Sequence, residues 1–261
     1  MTEWARKLFV ERADLSIKIM NLRWPYTEKI VDGMINVLKE KGISSGRLLD
    51  LCCGNGRIST HFAKRGFEAI GIDYSNYYLV DAKKRAEMHE VSDHVIFVEG
   101  DVRNLKAVLK DYEERFDVVV NAWTSIGYST IEDDLSIFEQ ARQLSKDSAI
   151  LFIVDTMHAG RASMRPNQTS FLEIDDTVLL EKSTYDQSSS EKRTTWTFYR
   201  KIGNDLHYLD ELEYVINVYS LSELSALLKK AGWQIEAYYG NISTQQPMSP
   251  LTGMNIIAKA A

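Results

Sequence analysis

Hydrophobic and polar positions follow two different periods along this chain. Between residues 47 and 155, short apolar runs alternate with segments whose apolar residues recur at helical spacing. The short runs predict buried strands and the others predict amphipathic helices. The predicted strands are 47–52, 68–72, 95–99, 117–121 and 149–155, and the predicted helices are 58–64, 76–88, 105–113 and 131–144. This alternation indicates a parallel sheet with helices on both faces.

The ends of several predicted helices are marked by residues that start or stop helices. In the first 41 residues, apolar positions from Ile30 to Leu38 recur at helical spacing until Gly42, and Pro25 separates this helix from an earlier one at 8–20. Ser75 or Asn76 is a suitable cap for the helix at 76–88. Ser129 and Glu132 form a capping-box pattern before the helix at 131–144.

After Gly160 the period changes to two. Thr195, Thr197 and Tyr199 alternate with Thr194, Trp196 and Phe198, which is typical of antiparallel strands. Strands are predicted at 170–173, 178–185, 193–201 and 207–219. The earlier pattern then resumes with a helix opened by Ser220 and Glu223, and with strands at 233–239 and 254–259.

The order of these elements predicts an α/β fold in a single domain over residues 1–261. Its mostly parallel, seven-stranded sheet would end in an antiparallel last strand, which forms a closing hairpin at the sheet edge. Residues 1–45 would be a helical cover. Residues 160–218 would form an antiparallel β insertion within the same domain, because no linker or low-complexity tract separates them from the rest.

Composition excludes several classes of protein. The chain is 44% hydrophobic and 26% charged, as in ordinary globular proteins, and its net charge of −6 argues against general nucleic-acid binding. Its two cysteines, Cys52 and Cys53, are adjacent, and the five histidines have no ligand spacing, so neither a disulfide framework nor a metal site is expected. No apolar leader or membrane span is found, which predicts a cytoplasmic protein.

The segment from Leu48 to Arg57 carries the clearest chemical signal. An apolar run ends at Asp50, and a turn containing Gly54 and Gly56 leads into a predicted helix, as in cofactor sites of Rossmann-like folds. The turn can be matched to the dinucleotide pattern if Ser59 replaces the third glycine, although that match alone is weak. S-adenosylmethionine is favoured instead, because Asp50 can meet its cationic aminoacyl end and Gly100-Asp101-Val102 can bind its adenine.

These residues together resemble class I S-adenosylmethionine-dependent methyltransferases over nearly the whole chain. The first family motif is matched from Leu48 to Gly56, except that Cys52 stands where the first glycine usually occurs. The resemblance implies binding roles for further residues at the ends of strands two to four. Asp73 would bind the ribose hydroxyls, Tyr74 would lie against the adenine, Asp101 and Val102 would form the adenine site, and Asn121 and Ala122 would line the methionine part.

The methyl acceptor is predicted to be a small molecule. The segment from Asn121 to Tyr128 resembles the N-x-x-T-S-x-G-Y stretch of a subgroup that is similar in layout to glycine and amino-sugar N-methyltransferases. The insertion would then form a lid over the acceptor, and the N-terminal helices would cover the cofactor, with Trp24 or Tyr26 in reach. Candidates for the acceptor wall are Trp123, Tyr128, His158, Tyr185, Trp196, Phe198 and Tyr199.

Within that wall, Tyr128 and His158 are the candidate catalytic residues, since a tyrosine or histidine can remove a proton from the acceptor. Nitrogen is slightly preferred over oxygen as the methylated atom. An RNA or protein methyltransferase stays open because basic residues from Lys182 to Lys201 occur in the insertion. A cofactor-binding protein without catalysis, or an NAD-dependent enzyme, is a further alternative. Exposed strand edges of the insertion would permit a homodimer.

Overall fold

The computed structural model describes residues 2–110, 112, 115–123 and 125–261. Its helices are α1 (Glu3–Arg6), α2 (Ala13–Asn21), α3 (Trp24–Glu40), α4 (Arg57–Ala63), α5 (Asn76–Met88), α6 (Leu105–Val108), α7 (Ile131–Gln143), α8 (Ala159–Met164) and α9 (Leu221–Lys230). A π-helical turn, Lys7–Glu11, joins α1 to α2. Within the described residues, no helix combines the length and apolar character needed to cross a bilayer.

The strands form two separate sheets. They are β1 (Gly46–Leu51), β2 (Phe67–Asp73), β3 (Val95–Glu99), β4 (Phe116–Ala122), β5 (Ser145–Thr156), β6 (Asn167–Ile174), β7 (Thr177–Asp186), β8 (Glu191–Ile202), β9 (Asp205–Asn217), β10 (Trp233–Tyr239) and β11 (Met254–Ala260). The seven-stranded sheet has the order β10-β11-β5-β4-β1-β2-β3 and the four-stranded sheet has the order β6-β7-β8-β9. The predicted α/β fold class is therefore confirmed.

The large sheet is parallel from β3 to β5 and antiparallel on both sides of β11. The last two strands form the predicted antiparallel hairpin at the edge of the sheet. The last strand, β11, lies between β5 and β10, so that β10 is the edge strand. The chain reverses its direction of winding at β1, between β4 and β2, which is where open α/β sheets bind ligands.

Alternate residues of β1 point to the two sides of the sheet. Leu48 packs in the core cluster with Met34 and Phe62 from α3 and α4, whereas Leu49 packs in the cluster with Phe138 of α7 and Leu228 of α9. All of these side chains are buried. Because both faces of β1 are covered by helices, adjacent leucines, Leu48 and Leu49, are buried on opposite faces of the strand.

Local starts of helices largely agree with the predictions. Ser75 caps α5, and Ser220 and Glu223 form the capping box of α9. The predicted box at Ser129 and Glu132 is wrong by one position, because the side chain of Thr130 accepts the hydrogen bond from Asp133 N at 3.1 Å. The predicted helix at 105–113 is shorter than expected, with α6 ending at Val108, and residues 111 and 113 lie outside the described part.

The four-stranded antiparallel sheet is covered on one face by the N-terminal helices. Leu8, Leu15 and Ile19 pack against Trp196 and Phe198 of β8. Ionic contacts also connect the two regions: Lys7 Nζ donates to the carbonyl oxygen of Glu211 at 2.9 Å, Lys18 Nζ lies 3.0 Å from Asp176 Oδ1, and Arg12 pairs with Asp210. The N-terminal segment therefore lies between the two sheets.

Candidate active site

A cavity of about 160 Å³ opens at the carboxyl ends of β1 to β4. It brings together most of the residues that the sequence assigned to the cofactor, which are Asp50, Cys52, Gly54, Asp73, Tyr74, Asp101, Val102 and Ala122. Gly56 and Asn121 are buried nearby but do not line this cavity. These residues come from the ends of different strands, and the parallel pairing of the strands places them at one edge.

The turn after β1 takes left-handed backbone angles at three residues. Cys52, Gly54 and Gly56 have φ of 57°, 56° and 71°. A Cβ on Gly54 would lie 2.6 Å from the sulfur of Met20, and a Cβ on Gly56 would lie 2.6 Å from the ring of Phe97. Gly54 is therefore needed for the close approach of α2, while Gly56 permits α4 to pack against β3.

Asp50 is 1% exposed and holds the start of α4 in place. Its Oδ2 accepts hydrogen bonds from the backbone N–H of Ser59 at 3.1 Å and from the Ser59 hydroxyl at 2.7 Å. Burial raises the pKa of Asp50 to about 6, against the lowering effect of Ser59. Asp50 also lines the cavity, so a cationic group bound there would offset the cost of burying its charge.

Asp73, at the end of β2, joins the glycine turn to the start of α5. Its Oδ2 accepts from Gly54 N at 2.8 Å and its Oδ1 accepts from Ser75 N at 2.9 Å. The backbone N–H of Tyr74 also contacts this carboxylate. Its two oxygens together have about four acceptor sites, so the carboxylate can accept a further hydrogen bond from a ligand hydroxyl. Burial raises the pKa of Asp73 to about 6.

Asp101 and Tyr74 lie at the more open side of the cavity. Asp101 Oδ2 accepts a hydrogen bond from the guanidinium of Arg103 at 2.6 Å, and this contact lowers the pKa of Asp101. The ring of Tyr74 is 46% exposed, so one of its faces is free to contact a planar ligand. Val102 begins a short 3₁₀ turn and lines the same part of the cavity.

The roof of this cavity was only partly predicted. Ala5, Phe9 and Met20 of the N-terminal segment line it, which agrees with a covering role for this region but not with the residues expected to reach the ligand. Tyr26 is 66% exposed and is absent from the lining. Trp24 stacks on His89, with ring centroids 5.6 Å apart. The packing between distant segments decides which side chains form the roof, and no local pattern signals it.

A second cavity, of about 460 Å³, lies between the N-terminal helices, α8 and one face of the four-stranded sheet. Its sheet side is formed by alternate residues of neighbouring strands, which are Gln168, Ser170, Leu172, Leu179, Glu181, Tyr185, Lys192, Trp196 and Tyr214. The two cavities are adjacent and share five lining residues, which are Phe9, Met20, Tyr78, Trp123 and Tyr128.

The period of two decides which aromatic residues of the insertion face this second cavity. Tyr185 and Trp196 line it, and Phe198 is fully buried on the same face. Tyr199 is on the opposite face, where its ring contacts that of Tyr208 with centroids 6.2 Å apart. The alternation in the sequence already separates Tyr199 from Trp196 and Phe198.

The two candidate catalytic residues occupy different places. Tyr128 lines both cavities, and its ring stacks on Phe9 with centroids 5.5 Å apart. His158 is buried before α8 and lines neither cavity. Burial lowers the pKa of His158, although backbone contacts with Ser249 and Thr252 oppose the shift. The structure therefore brings Tyr128, and not His158, to the place where the two cavities meet, which is called the junction.

Two strand ends beside the junction have strained backbones and share one cation. Trp123 follows β4 with φ of 68°, and Asp155 lies near the end of β5 with φ of 55°. Left-handed angles are unfavourable for residues with a Cβ. The guanidinium of Arg23 lies 5.0 Å from the ring centroid of Trp123 and 3.0 Å from Asp155 Oδ2. Arg23 therefore connects the N-terminal segment to both strand ends.

Comparison with known proteins identifies the class. Residues 43–201 match a family model described as a methyltransferase domain, and the chain belongs to this family. Its fold and its family are those of class I S-adenosylmethionine-dependent methyltransferases. This result decides in favour of S-adenosylmethionine over the dinucleotide alternative. The buried carboxylate of Asp73, with acceptor capacity facing a cavity beside a glycine turn, fits the nucleoside part of that cofactor.

Two curated relatives differ in how much of the chain they match. YqeM of Bacillus subtilis, whose name proposes a methyltransferase, is 25% identical over 77% of this chain and 79% of its own length. A protein of Methanocaldococcus jannaschii, whose name proposes a methyltransferase for large-subunit ribosomal RNA, is 33% identical over 48% of this chain and 33% of its own length. The second match therefore leaves two thirds of that relative uncovered.

Two solved structures share the fold over most of their length. An S-adenosylmethionine-dependent methyltransferase from Clostridium acetobutylicum superposes with a TM-score of 0.76, 16% identity and coverage of 98% of this chain and 96% of that one. CalS10, an amino pentose methyltransferase from Micromonospora echinaspora, solved with the cofactor bound, has a TM-score of 0.66, 16% identity and coverage of 91% and 92%. At this identity both show the fold alone.

The raised pKa values predict how cofactor affinity depends on pH. Asp50 and Asp73 have pKa values of about 6 in the folded protein, and a bound cation or hydroxyl donor favours their ionised forms. We expect the affinity for S-adenosylhomocysteine to be constant above pH 7. It should fall about tenfold, for each carboxyl that must be ionised, as the pH drops from 7 to 5.

Calorimetry between pH 5 and 8 would measure this dependence. Because the ligand prefers the deprotonated carboxyls, binding at pH 6 should release protons, which calorimetry in buffers of different ionisation enthalpy detects. The folding stability of the ligand-free protein depends on pH in the opposite direction to the ligand affinity. Because the two carboxyls have folded pKa values above the unfolded value of 3.8, they contribute stability that is lost as the pH rises through 6. An affinity that does not change between pH 7 and 5 would contradict the assignment of both aspartates.

Proposed function

We propose that this methyltransferase acts on a small-molecule acceptor, an amine or a hydroxyl compound, which binds in the cavity between the N-terminal helices and the antiparallel sheet. The observation that supports this proposal is that two neighbouring cavities share side chains such as Tyr128 and Trp123. In this proposal residues 160–218 form the acceptor wall of a single catalytic domain. The cofactor supplies an electrophilic methyl group.

The residues of this chain would then position the two reactants. Asp50 and the turn at Gly54 would hold the aminoacyl end of the cofactor, Asp73 its ribose, and Asp101, Val102 and Tyr74 its adenine. Ala122 lies near the junction, and Asn121 supports it from the buried side. Enclosure by the N-terminal helices excludes water and aligns the reactants, which can lower the barrier by several kcal/mol.

An RNA acceptor is the second candidate, because of the archaeal relative. Three basic residues of the insertion give it little support, since they pair with acids. Arg193 lies 2.5 Å from Glu213, Lys201 lies 2.6 Å from Glu173, and Arg200 lies 3.6 Å from Asp176. Such balanced pairs do not form the continuous basic surface on which RNA binding depends.

Formation of S-adenosylhomocysteine tests the proposed substrate class. The purified protein should methylate members of a panel of small amines and hydroxyl compounds, with nitrogen acceptors preferred, and should leave ribosomal RNA unmodified. The product is identified by mass. Methylation of ribosomal RNA in the absence of activity on any small compound would show that the proposed class is wrong.

The role proposed for Tyr128 predicts a specific loss of rate. Tyr128→Phe keeps the ring that stacks on Phe9 and contacts Trp4 but removes the hydroxyl. We expect kcat to fall about a hundredfold if that hydroxyl takes part in proton removal, with unchanged affinity for S-adenosylhomocysteine. Tyr199→Phe, on the opposite face of the insertion, is the matched control and should keep full activity. An unchanged kcat in Tyr128→Phe would exclude a role in proton transfer.

A further inference from the structure

The charges that line the larger cavity are unbalanced. Arg23, Arg161, Arg165 and Lys192 contribute four cationic side chains, whereas Glu181 is the single acidic residue among the described residues that line it. The whole chain has a net charge of −6, so this excess is opposite in sign to that of the molecule. An enclosed site with a cationic excess attracts anions and disfavours ligands that carry only positive charge.

Two of these five charges already have partners. Arg23 pairs with Asp155 at 3.0 Å and lies over the ring of Trp123. Glu181 accepts a hydrogen bond from Trp196 Nε1 at 2.8 Å. Within the described part of the chain, Arg161, Arg165 and Lys192 form no ion pair. Among the residues described, three cations and the carboxylate of Glu181 therefore remain without an oppositely charged ion-pair partner, and cations are in excess among them.

These three cations lie on segments that each contact one residue of the sheet, Tyr185. Lys192 is its cross-strand neighbour on β8. Ala162, next to Arg161 on α8, packs in the same cluster as Tyr185. Arg165 precedes Pro166, whose carbonyl oxygen accepts from Tyr185 N at 2.7 Å. The three cations thus lie on α8, on the segment that follows it and on β8, and all of them line the same cavity.

Lys192 differs from the surface lysines of the insertion. Its side chain is half-buried in the cavity wall, whereas Lys182 on the other face of the sheet is exposed. Burial lowers the pKa of Lys192, and the charge of Arg161 lowers it further, while Glu181 opposes the shift. An anion beside Lys192 would neutralise the repulsion between Lys192 and Arg161.

We infer that the methyl acceptor carries an anionic group, a carboxylate or a phosphate, which binds among Arg161, Arg165 and Lys192 while its amine or hydroxyl faces the cofactor cavity. This inference rests on the proposed small-molecule function. Guanidinium and ammonium groups form strong, charge-assisted hydrogen bonds with both kinds of anion. Arg161 and Arg165 are exposed and Lys192 is half-buried, so the anionic group would bind where the cavity opens to solvent.

Matched pairs of acceptors test this inference. Glycine is compared with glycinamide, O-phosphoethanolamine with ethanolamine, and glucosamine 6-phosphate with glucosamine, and methyl transfer is measured as kcat/KM. At least one compound with an anionic group should exceed the analogue that lacks this group about tenfold or more, and the carboxylate and phosphate pairs separate the two anions. In Arg161→Gln and Lys192→Met, KM for that anionic acceptor should rise about tenfold. Lys182→Met should have no effect.

Direct binding keeps the inference testable even if no compound of the panel is methylated. Binding of inorganic phosphate and of glycine to the wild-type protein with S-adenosylhomocysteine is followed by ligand-observed NMR. We expect binding that is lost in Lys192→Met and retained in Lys182→Met. Binding without turnover would leave the anion site in place and count against the small-molecule function. Three results would each overturn the inference. They are equal use of acceptors with and without the anionic group, anion binding that is unaffected by Lys192→Met, and methylation of RNA that requires Lys192.

Discussion

Replacement of Asp73 by alanine is expected to weaken the binding of S-adenosylhomocysteine roughly 10- to 150-fold. A hydrogen bond to a charged group contributes about 1.5–3 kcal/mol, and Asp73 lines the cavity. The same carboxylate accepts from Gly54 N and Ser75 N. Asp73→Ala would therefore also loosen the glycine turn, and the midpoint of thermal unfolding should fall. Calorimetry measures the first effect and a thermal melt the second.

Asp73→Asn separates these two effects. Asparagine has nearly the same shape and keeps one acceptor oxygen, but its amide nitrogen would face one of the two backbone N–H groups. We expect Asp73→Asn to lose less stability than Asp73→Ala and to lose most of the cofactor affinity. If Asp73→Ala folds and binds S-adenosylhomocysteine as tightly as the wild type, Asp73 is not part of the cofactor site.

Gly127→Ala is expected to destabilise the protein by about 3 kcal/mol or more. Gly127 has φ of 84°, and a Cβ there would lie 2.1 Å from the carbonyl oxygen of Asn217. Gly127 N also donates to Asp134 Oδ2 at 3.0 Å, and Gly127 O accepts from Asn217 N at 2.9 Å. The clash would thus push the segment that contains Tyr128 away from the end of β9. Equilibrium unfolding in urea measures the loss.

Gly203→Ala is the matched control for this experiment. Gly203, in the turn between β8 and β9, has φ of 61°, but a Cβ there would meet no atom within 4 Å. This variant should lose only the backbone term, about 1 kcal/mol. The difference between the two variants measures how tightly the junction is packed against the insertion. Equal losses in both would mean that the contact with Asn217 relaxes without cost.

Most of the fold follows from periodicity. Apolar runs such as 117–121 and the alternation around Trp196 specify which sheet each strand joins, because a strand buried on both faces and one buried on a single face have different patterns. The place of β11 between β5 and β10 does not follow from its sequence. Any apolar strand of that length fits either position, and only the packing of the whole sheet decides.

The grouping of the candidate cofactor residues at one edge of the sheet was also predictable, since these residues stand at the ends of predicted strands. The lining of the second cavity was not. Phe9 and Met20 reach the cavities from a helical segment far away in the sequence. His158 stands after a strand end, as a site residue would, yet the chain turns it toward the loop at Ser249 and Thr252. The position of Lys192 beside the second cavity could be predicted from the two-residue alternation along β8, since Lys192 shares a face with Trp196.

Three residues with left-handed backbone angles, Cys52, Trp123 and Asp155, differ in how useful their replacement by glycine would be for raising thermal stability. Glycine at Cys52 would relieve unfavourable angles of about 1–2 kcal/mol, less the extra entropy of a glycine in the unfolded chain, and no contact of Arg23 would be lost. Glycine at Trp123 or Asp155 would relieve similar angles but delete the ring or the carboxylate that Arg23 contacts. A thermostable variant that keeps its activity is therefore to be sought at Cys52. At Trp123 and Asp155, a gain in stability would come with the loss of a side chain that Arg23 contacts beside the cavities.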